Sequence, residues 1–176
     1  MKFKGYIQVY TGNGKGKTTA SLGLALRAAG RGMNVYMAQF MKKGEYGELK
    51  IVEEKLSDFI TIKQFGLPEW HYSSKGVQQK ETDAALEGIK AVKEAIESKK
   101  YKIIIMDEIN VLLYFKIIDV KLVLDIIDNK PEDTELVLTG RYAPEEILKR
   151  ADLITEMKDI KHYFDNKVSA REGIEF

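Results

Sequence analysis

Between an apolar-alternating run at residues 6–10 and a stretch in which Leu22, Ala25, Leu26 and Ala29 recur at helical spacing, the chain reads Thr11-Gly12-Asn13-Gly14-Lys15-Gly16-Lys17-Thr18-Thr19. A glycine-rich loop between a strand and a helix, closing on Gly-Lys-Thr, is built to bind phosphate. Gly12, Gly14 and Gly16 lack a Cβ and can take positive φ, so successive backbone N–H groups can turn inward around an anion. The helix beginning near Lys17 points its unpaired N–H groups and positive dipole end at the same place. Lys17 brings a full charge to the phosphates, and the Thr18 hydroxyl takes a Mg²⁺ position. One position departs from the pattern: the glycine expected at the strand exit is Thr11, which leaves Gly12 to make the turn.

A loop of this kind belongs in a chain that alternates strands with helices, and the rest of the sequence does so. Strands are expected at residues 34–40, 59–65, 101–106, 135–139 and 153–157, and helices at 45–55, 77–98, 120–129 and 144–150. Gly30 and Gly32 are expected to stop the first helix. The four apolar residues Ile103 to Met106 mark a strand covered on both faces, as in a parallel sheet. The expected fold is therefore α/β, a three-layer P-loop NTPase-like (RecA-like) domain with a mostly parallel sheet and helices on both faces. With 176 residues, 44% of them apolar, residues 1–176 read as a single domain, enough for one well-packed core and short for two.

In such sheets ligands bind beyond the carboxyl ends of the strands. The segments that follow predicted strands therefore converge on one site, to which they bring Lys15, Lys17, Lys42 and Arg141, the carboxylates Asp107 and Glu108, and the aromatics around Trp70. Asp107 and Glu108 end a buried strand, where acidic residues hold Mg²⁺ opposite the P-loop hydroxyl. Asp107 could instead cap the helix beginning near Ile109. The loop by itself fits an ATPase, a small-molecule kinase or a nucleotide-sensing module, and Glu108 could position a water or act as base in the first two. Those readings leave the aromatic loop and the density of positive charge unexplained.

Composition removes other classes. The absence of cysteine excludes disulfides, thiolate-held zinc, iron–sulfur clusters and a cysteine nucleophile. A net charge of +1 gives no global attraction to nucleic acid or membrane, so polyanion binding must be local. With no signal-peptide core and no apolar stretch long enough to cross a bilayer, a cytoplasmic protein is expected.

The loop Gly12 to Thr19, the following Gly23-Leu24-Ala25-Leu26-Arg27-Ala28-Ala29-Gly30, Gln39-Phe40-Met41-Lys42, Asp107-Glu108, Leu138-Thr139-Gly140-Arg141, residues 151–157, Lys161-His162 and the closing Gly173-Ile174-Glu175-Phe176 together resemble the P-loop corrinoid adenosyltransferases. The resemblance spans nearly the whole chain, and Thr11 is ordinary within that family. It implies that a Co(I) corrinoid attacks the 5′ carbon of ATP and expels triphosphate, with ATP lying reversed in the loop so that the ribose carbon is exposed. Because the cobalt is the nucleophile, no general base is required. The demand falls on the leaving group, to be met by loop amides, Lys17, Lys15, Arg141 and Mg²⁺ held through Thr18 with Asp107 or Glu108.

The resemblance further implies that aromatics after the third strand keep axial ligands off cobalt and so ease its reduction. Here that loop reads Phe65-Gly66-Leu67-Pro68-Glu69-Trp70. Trp70 is expected to carry the role, shared with Phe65 or Leu67; the alternative is that Trp70 is a packing residue. His71 is not expected to ligate cobalt, and His162 either is structural or helps to position the corrinoid. A flavodoxin-like electron donor and a homodimer are implied partners, and any N-terminal segment covering the corrinoid is expected to be short or absent.

Overall fold

The computed structural model describes residues 3–68 and 77–176, apart from the side chain of Phe164. Six strands form one parallel sheet: β1 (Ile7–Thr11), β2 (Val35–Phe40), β3 (Ile60–Phe65), β4 (Ile103–Asp107), β5 (Glu135–Thr139) and β6 (Leu153–Glu156). Their spatial order is β3-β2-β4-β5-β1-β6. The central pairings Ile105↔Val137 and Val9↔Leu138 keep the strand ends level, so the loops beyond them meet on one edge.

Alternation along the buried strands separates two cores. Met37, Ile105 and Val137 face helix α1 (Lys17–Ala29), whereas Ala38, Ile104, Met106 and Leu138 face α3 (Gln79–Glu97), α4 (Ile109–Tyr114) and α5 (Val120–Asn129). This two-sided burial is what the unbroken apolar run in β4 requires. The short helix α6 (Glu145–Leu148) adds Ile147 to the second core.

Three local expectations change. The stripe that α1 buries is Ser21, Ala25, Ala28 and Ala29, while Leu26 is 58% exposed. Small side chains let the helix lie close to the sheet, and a leucine on that line would hold it off. The turn after α1 is made by Gly32, at φ 71, since Gly30 remains right-handed. The helix expected at residues 45–55 begins only at Gly47 as α2 (Gly47–Ile51) and widens into a π-helical turn at Val52–Leu56. The start of α3 is fixed by a capping box in which Gln78 and Glu81 each accept from the other's backbone N–H.

Candidate active site

The loop leaves β1 at Gly12, whose φ of 93° is open to glycine and strained for other residues, and enters α1 through Gly16 at φ 119°. A Cβ on Gly12 would come within 2.4 Å of Met157 O, and one on Gly14 within 2.7 Å of Lys158 O. The glycines therefore let the loop lie against the chain that follows β6, where Gly14 N donates to Met157 O at 2.7 Å. Thr11 remains within β1, and its hydroxyl accepts from Ala143 N at 3.3 Å.

Lys17 is 6% exposed, and its ammonium donates to the carbonyls of Gly12 (2.8 Å) and Gly14 (2.6 Å). Burial pulls its pKa below the ordinary lysine value; Arg141 adds to that, while Glu108 and Asp107 oppose it. The charge stands inside the curve of the loop, ready for an anion.

Asp107, wholly buried, accepts at Oδ1 from the hydroxyls of Thr18 (2.9 Å) and Thr139 (2.7 Å), and at Oδ2 from Lys42 (2.9 Å). It is the last residue of β4 and does not cap α4. The N-cap is Glu108, in left-handed backbone at φ 64 and with no side-chain capping bond. Its N–H donates to Thr139 Oγ1 at 3.0 Å, and its carboxylate faces the cleft. Burial and the neighbouring Asp107 push the Glu108 pKa up, against Lys42, Lys17 and Arg141. Lys42 lies over the Tyr46 ring, 5.5 Å from its centroid; burial lowers its pKa, but Asp107 outweighs this and the net shift is upward.

These groups open on a cleft of about 910 Å³. Gly14 to Thr19, Lys42, Glu108 and Arg141 line it, as do Tyr46, Glu48, His162 and the tail residues Val168–Ala170 and Gly173–Phe176. Lys15 is drawn towards that tail: its ammonium meets Glu175 Oε1 at 2.6 Å and Ile174 O at 3.1 Å. Hydrogen bonds from Arg171 and Lys15 hold the half-buried Glu175 carboxyl down at about 2. Asn13 is exposed, and neither it nor Gly12 is among the lining residues.

Of the residues expected to form the aromatic wall, Phe65 and Leu67 fall among the described residues. Phe65 is buried in the core, its ring 6.1 Å from that of Phe40 and close against Gly88, because β3 turns its last side chain under α3. Leu67 is half-buried in the bend after β3, and Trp70 and His71 lie outside the described residues. Tyr46 and Glu48 are functional candidates that no motif announced, and Thr139, though within the Leu138–Arg141 motif, has no role assigned by it. A threonine at the end of a buried strand is an ordinary β residue, and only the fold sets its hydroxyl on Asp107.

Among the described residues, no group of three or more His, Asp or Glu side chains could form a metal cage. A hydroxyl and two carboxylates are hard oxygen donors nonetheless. They fit Mg²⁺, which takes few protein ligands and completes its shell with phosphate and water. No helix among the described residues is long and apolar enough to cross a membrane.

A family model described as ATP:corrinoid adenosyltransferase BtuR/CobO/CobP matches residues 3–176. A protein of Sinorhizobium sp. named corrinoid adenosyltransferase is 36% identical over 98% of this chain and 81% of its own length. Corrinoid adenosyltransferase CobA of Salmonella typhimurium is 31% identical over 98% of this chain and 86% of its own.

Proposed function

The chain belongs to the ATP:corrinoid adenosyltransferase family, and from that premise we propose how its residues divide the work. The enzyme transfers the 5′-deoxyadenosyl group of ATP to the Co(I) centre of a corrinoid. The cobalt lone pair forms the Co–C5′ bond, the C5′–O bond breaks, and its electron pair leaves on triphosphate while cobalt becomes Co(III). No proton moves, so the site needs anion stabilisers rather than a base.

The observation that carries the assignment of roles is the pair of contacts on either side of Thr18: the Lys17 ammonium inside the loop, and the Thr18 hydroxyl on Asp107. Lys17, the loop amides from Gly14 to Thr19, and Arg141 receive the charge that develops on triphosphate. Thr18, with Asp107 or Glu108, would hold Mg²⁺, which when bound neutralises part of that charge. Lys42 and Thr139 fix the Asp107 carboxylate, and Lys15 closes the loop's outer side with the tail. ATP lies with its ribose carbon turned to the corrinoid. Trp70, sharing the role with Leu67, keeps axial ligands off the cobalt, whereas Phe65, buried against Phe40 and Gly88, serves the core. A flavodoxin-like donor supplies the electron that makes Co(I), and the enzyme works as a homodimer in the cytoplasm.

Competition by inorganic tripolyphosphate tests the leaving-group assignment. It should displace ATP from the wild type in a Mg²⁺-dependent way. Lys17→Ala should lose both ligands, and Asp107→Asn should lose only the Mg²⁺-dependent part. Undiminished tripolyphosphate binding by Lys17→Ala would remove Lys17 from the role.

A further inference from the structure

Two aromatic side chains beside the cleft are stacked on each other yet open to solvent. The Tyr114 and Tyr142 rings have centroids 4.4 Å apart and planes 30° from parallel. Their residues are 53% and 44% exposed. Phe115 meets Tyr114 edge-on at 5.0 Å. Each tyrosine adjoins a residue that lines the cleft: Tyr142 follows Arg141, and Tyr114 stands one helical turn beyond Val111 on α4.

The turn that presents Tyr142 is held against its own preference. Tyr142 has left-handed backbone, φ 59, a region in which a bulky residue is rarely found and which persists only where the surroundings enforce it. Ala143 N is tied to Thr11 Oγ1 at 3.3 Å on one side, and Asn110 Nδ2 donates to Gly140 O at 3.4 Å on the other. Gly140, at φ 129, lies so close to α4 that a Cβ would stand 3.2 Å from Val111 N. The hydroxyl at the position where the phosphate loop departs from its usual glycine thus fastens the turn carrying Arg141 and Tyr142.

We propose that Tyr114 and Tyr142 form a stacking shelf for the corrinoid at the rim of the nucleotide cleft, separate from the aromatic loop after β3. This rests on the corrinoid being the acceptor. The acceptor is a broad, largely flat macrocycle whose metal must reach a carbon of the nucleotide in the cleft. Its periphery therefore extends over the residues flanking the cleft walls. Neither ring lines the cleft itself, but each stands next to a residue that does, Tyr142 after Arg141 and Tyr114 one turn beyond Val111. Tyrosines offer large apolar faces at low conformational cost, and a pair already stacked and anchored is preorganised for a flat ligand.

Titration of hydroxocobalamin into the enzyme loaded with Mg²⁺ and ATP reads the shelf directly. The Tyr114→Ala/Tyr142→Ala enzyme should bind it about tenfold more weakly, the scale of one lost aromatic contact, with ATP affinity unchanged. Tyr114→Phe/Tyr142→Phe should bind as the wild type does. Tyr142→Asn removes the ring while tolerating the left-handed backbone, and it should show the loss even if the double alanine variant folds poorly. Unchanged corrinoid affinity in the folded variants overturns the proposal, as does an equal loss of ATP affinity. A lower subunit number by light scattering with corrinoid affinity intact would assign the pair to a second copy of the chain instead. A wild type that bound no corrinoid would overturn the function itself, an outcome distinct from failure of the shelf alone.

Discussion

The Lys42 ammonium stands 2.9 Å from Asp107 Oδ2. With the hydroxyls of Thr18 and Thr139 on Oδ1, one buried carboxylate ties together the phosphate loop and the ends of β2 and β5. Lys42 is delivered by Met41, whose left-handed φ of 58 turns the chain out of β2. Gly66 makes room for that turn, since a Cβ there would come within 2.5 Å of Lys42 N.

Lys42→Met leaves Asp107 charged, buried and half-compensated. It should lower the free energy of unfolding by about 3 kcal/mol, measured with urea at neutral pH. Adding Asp107→Asn should recover most of the loss. Because the folded-state pKa of Lys42 is raised, its contribution is full below the ordinary lysine value of 10.5 and fades only as pH rises through the higher folded value. The difference between variant and wild type should therefore stay constant across the neutral range.

Glu108→Gln should separate stability from activity. The raised carboxyl pKa means that the folded protein holds this proton more tightly than the unfolded chain. The stability it contributes is full below the ordinary glutamate value of 4.5 and is lost as pH rises through the folded value. The amide introduced by the substitution stays neutral, so the variant should be more stable than the wild type at pH 7 and indistinguishable from it below about pH 4. Adenosyl transfer should meanwhile fall by up to about 100-fold, because the Mg²⁺ that would stabilise the leaving triphosphate loses a ligand.

Gly14→Ala tests the seating of the loop on the chain after β6. The new Cβ would meet Lys158 O at 2.7 Å, so either the loop or the tail must move. An overpacking cost of about 1–3 kcal/mol is expected in thermal denaturation, with ATP affinity reduced at least about tenfold. A variant that binds ATP normally would show that the loop's position does not depend on this contact.

Trp70→Ala separates reduction from transfer. If the loop after β3 keeps axial ligands off cobalt, the variant should lose much more rate when the assay starts from Co(II) than when it starts from pre-reduced Co(I). Equal losses in the two assays would assign Trp70 to packing.

Much of this arrangement is readable in the chain. The strand–loop–helix at Gly12 to Thr19 and the apolar run ending in Asp107 fix the fold, because each implies a buried parallel strand with its functional end at the same edge. What is not readable depends on long-range contact. The Leu138–Arg141 motif includes Thr139 without giving it a role, and its bond to Asp107 exists only because β4 and β5 pair in register through Met106↔Leu138. Phe65, which ends the expected third strand and by the resemblance could share the cobalt-facing role, is turned beneath α3 by the pleat of β3. Lys15, by sequence a phosphate ligand, meets Glu175 across 160 residues of chain.

The central claim, that the cleft releases a whole triphosphate as carbon passes to cobalt, is tested most directly by ³¹P NMR. The reaction mixture holds the enzyme, ATP, Mg²⁺ and chemically reduced cobalamin. Tripolyphosphate should appear in equal amount to a light-sensitive adenosyl–cobalt adduct, and neither should form when the corrinoid is omitted. Release of ADP and orthophosphate at the same rate with or without the corrinoid would contradict the account.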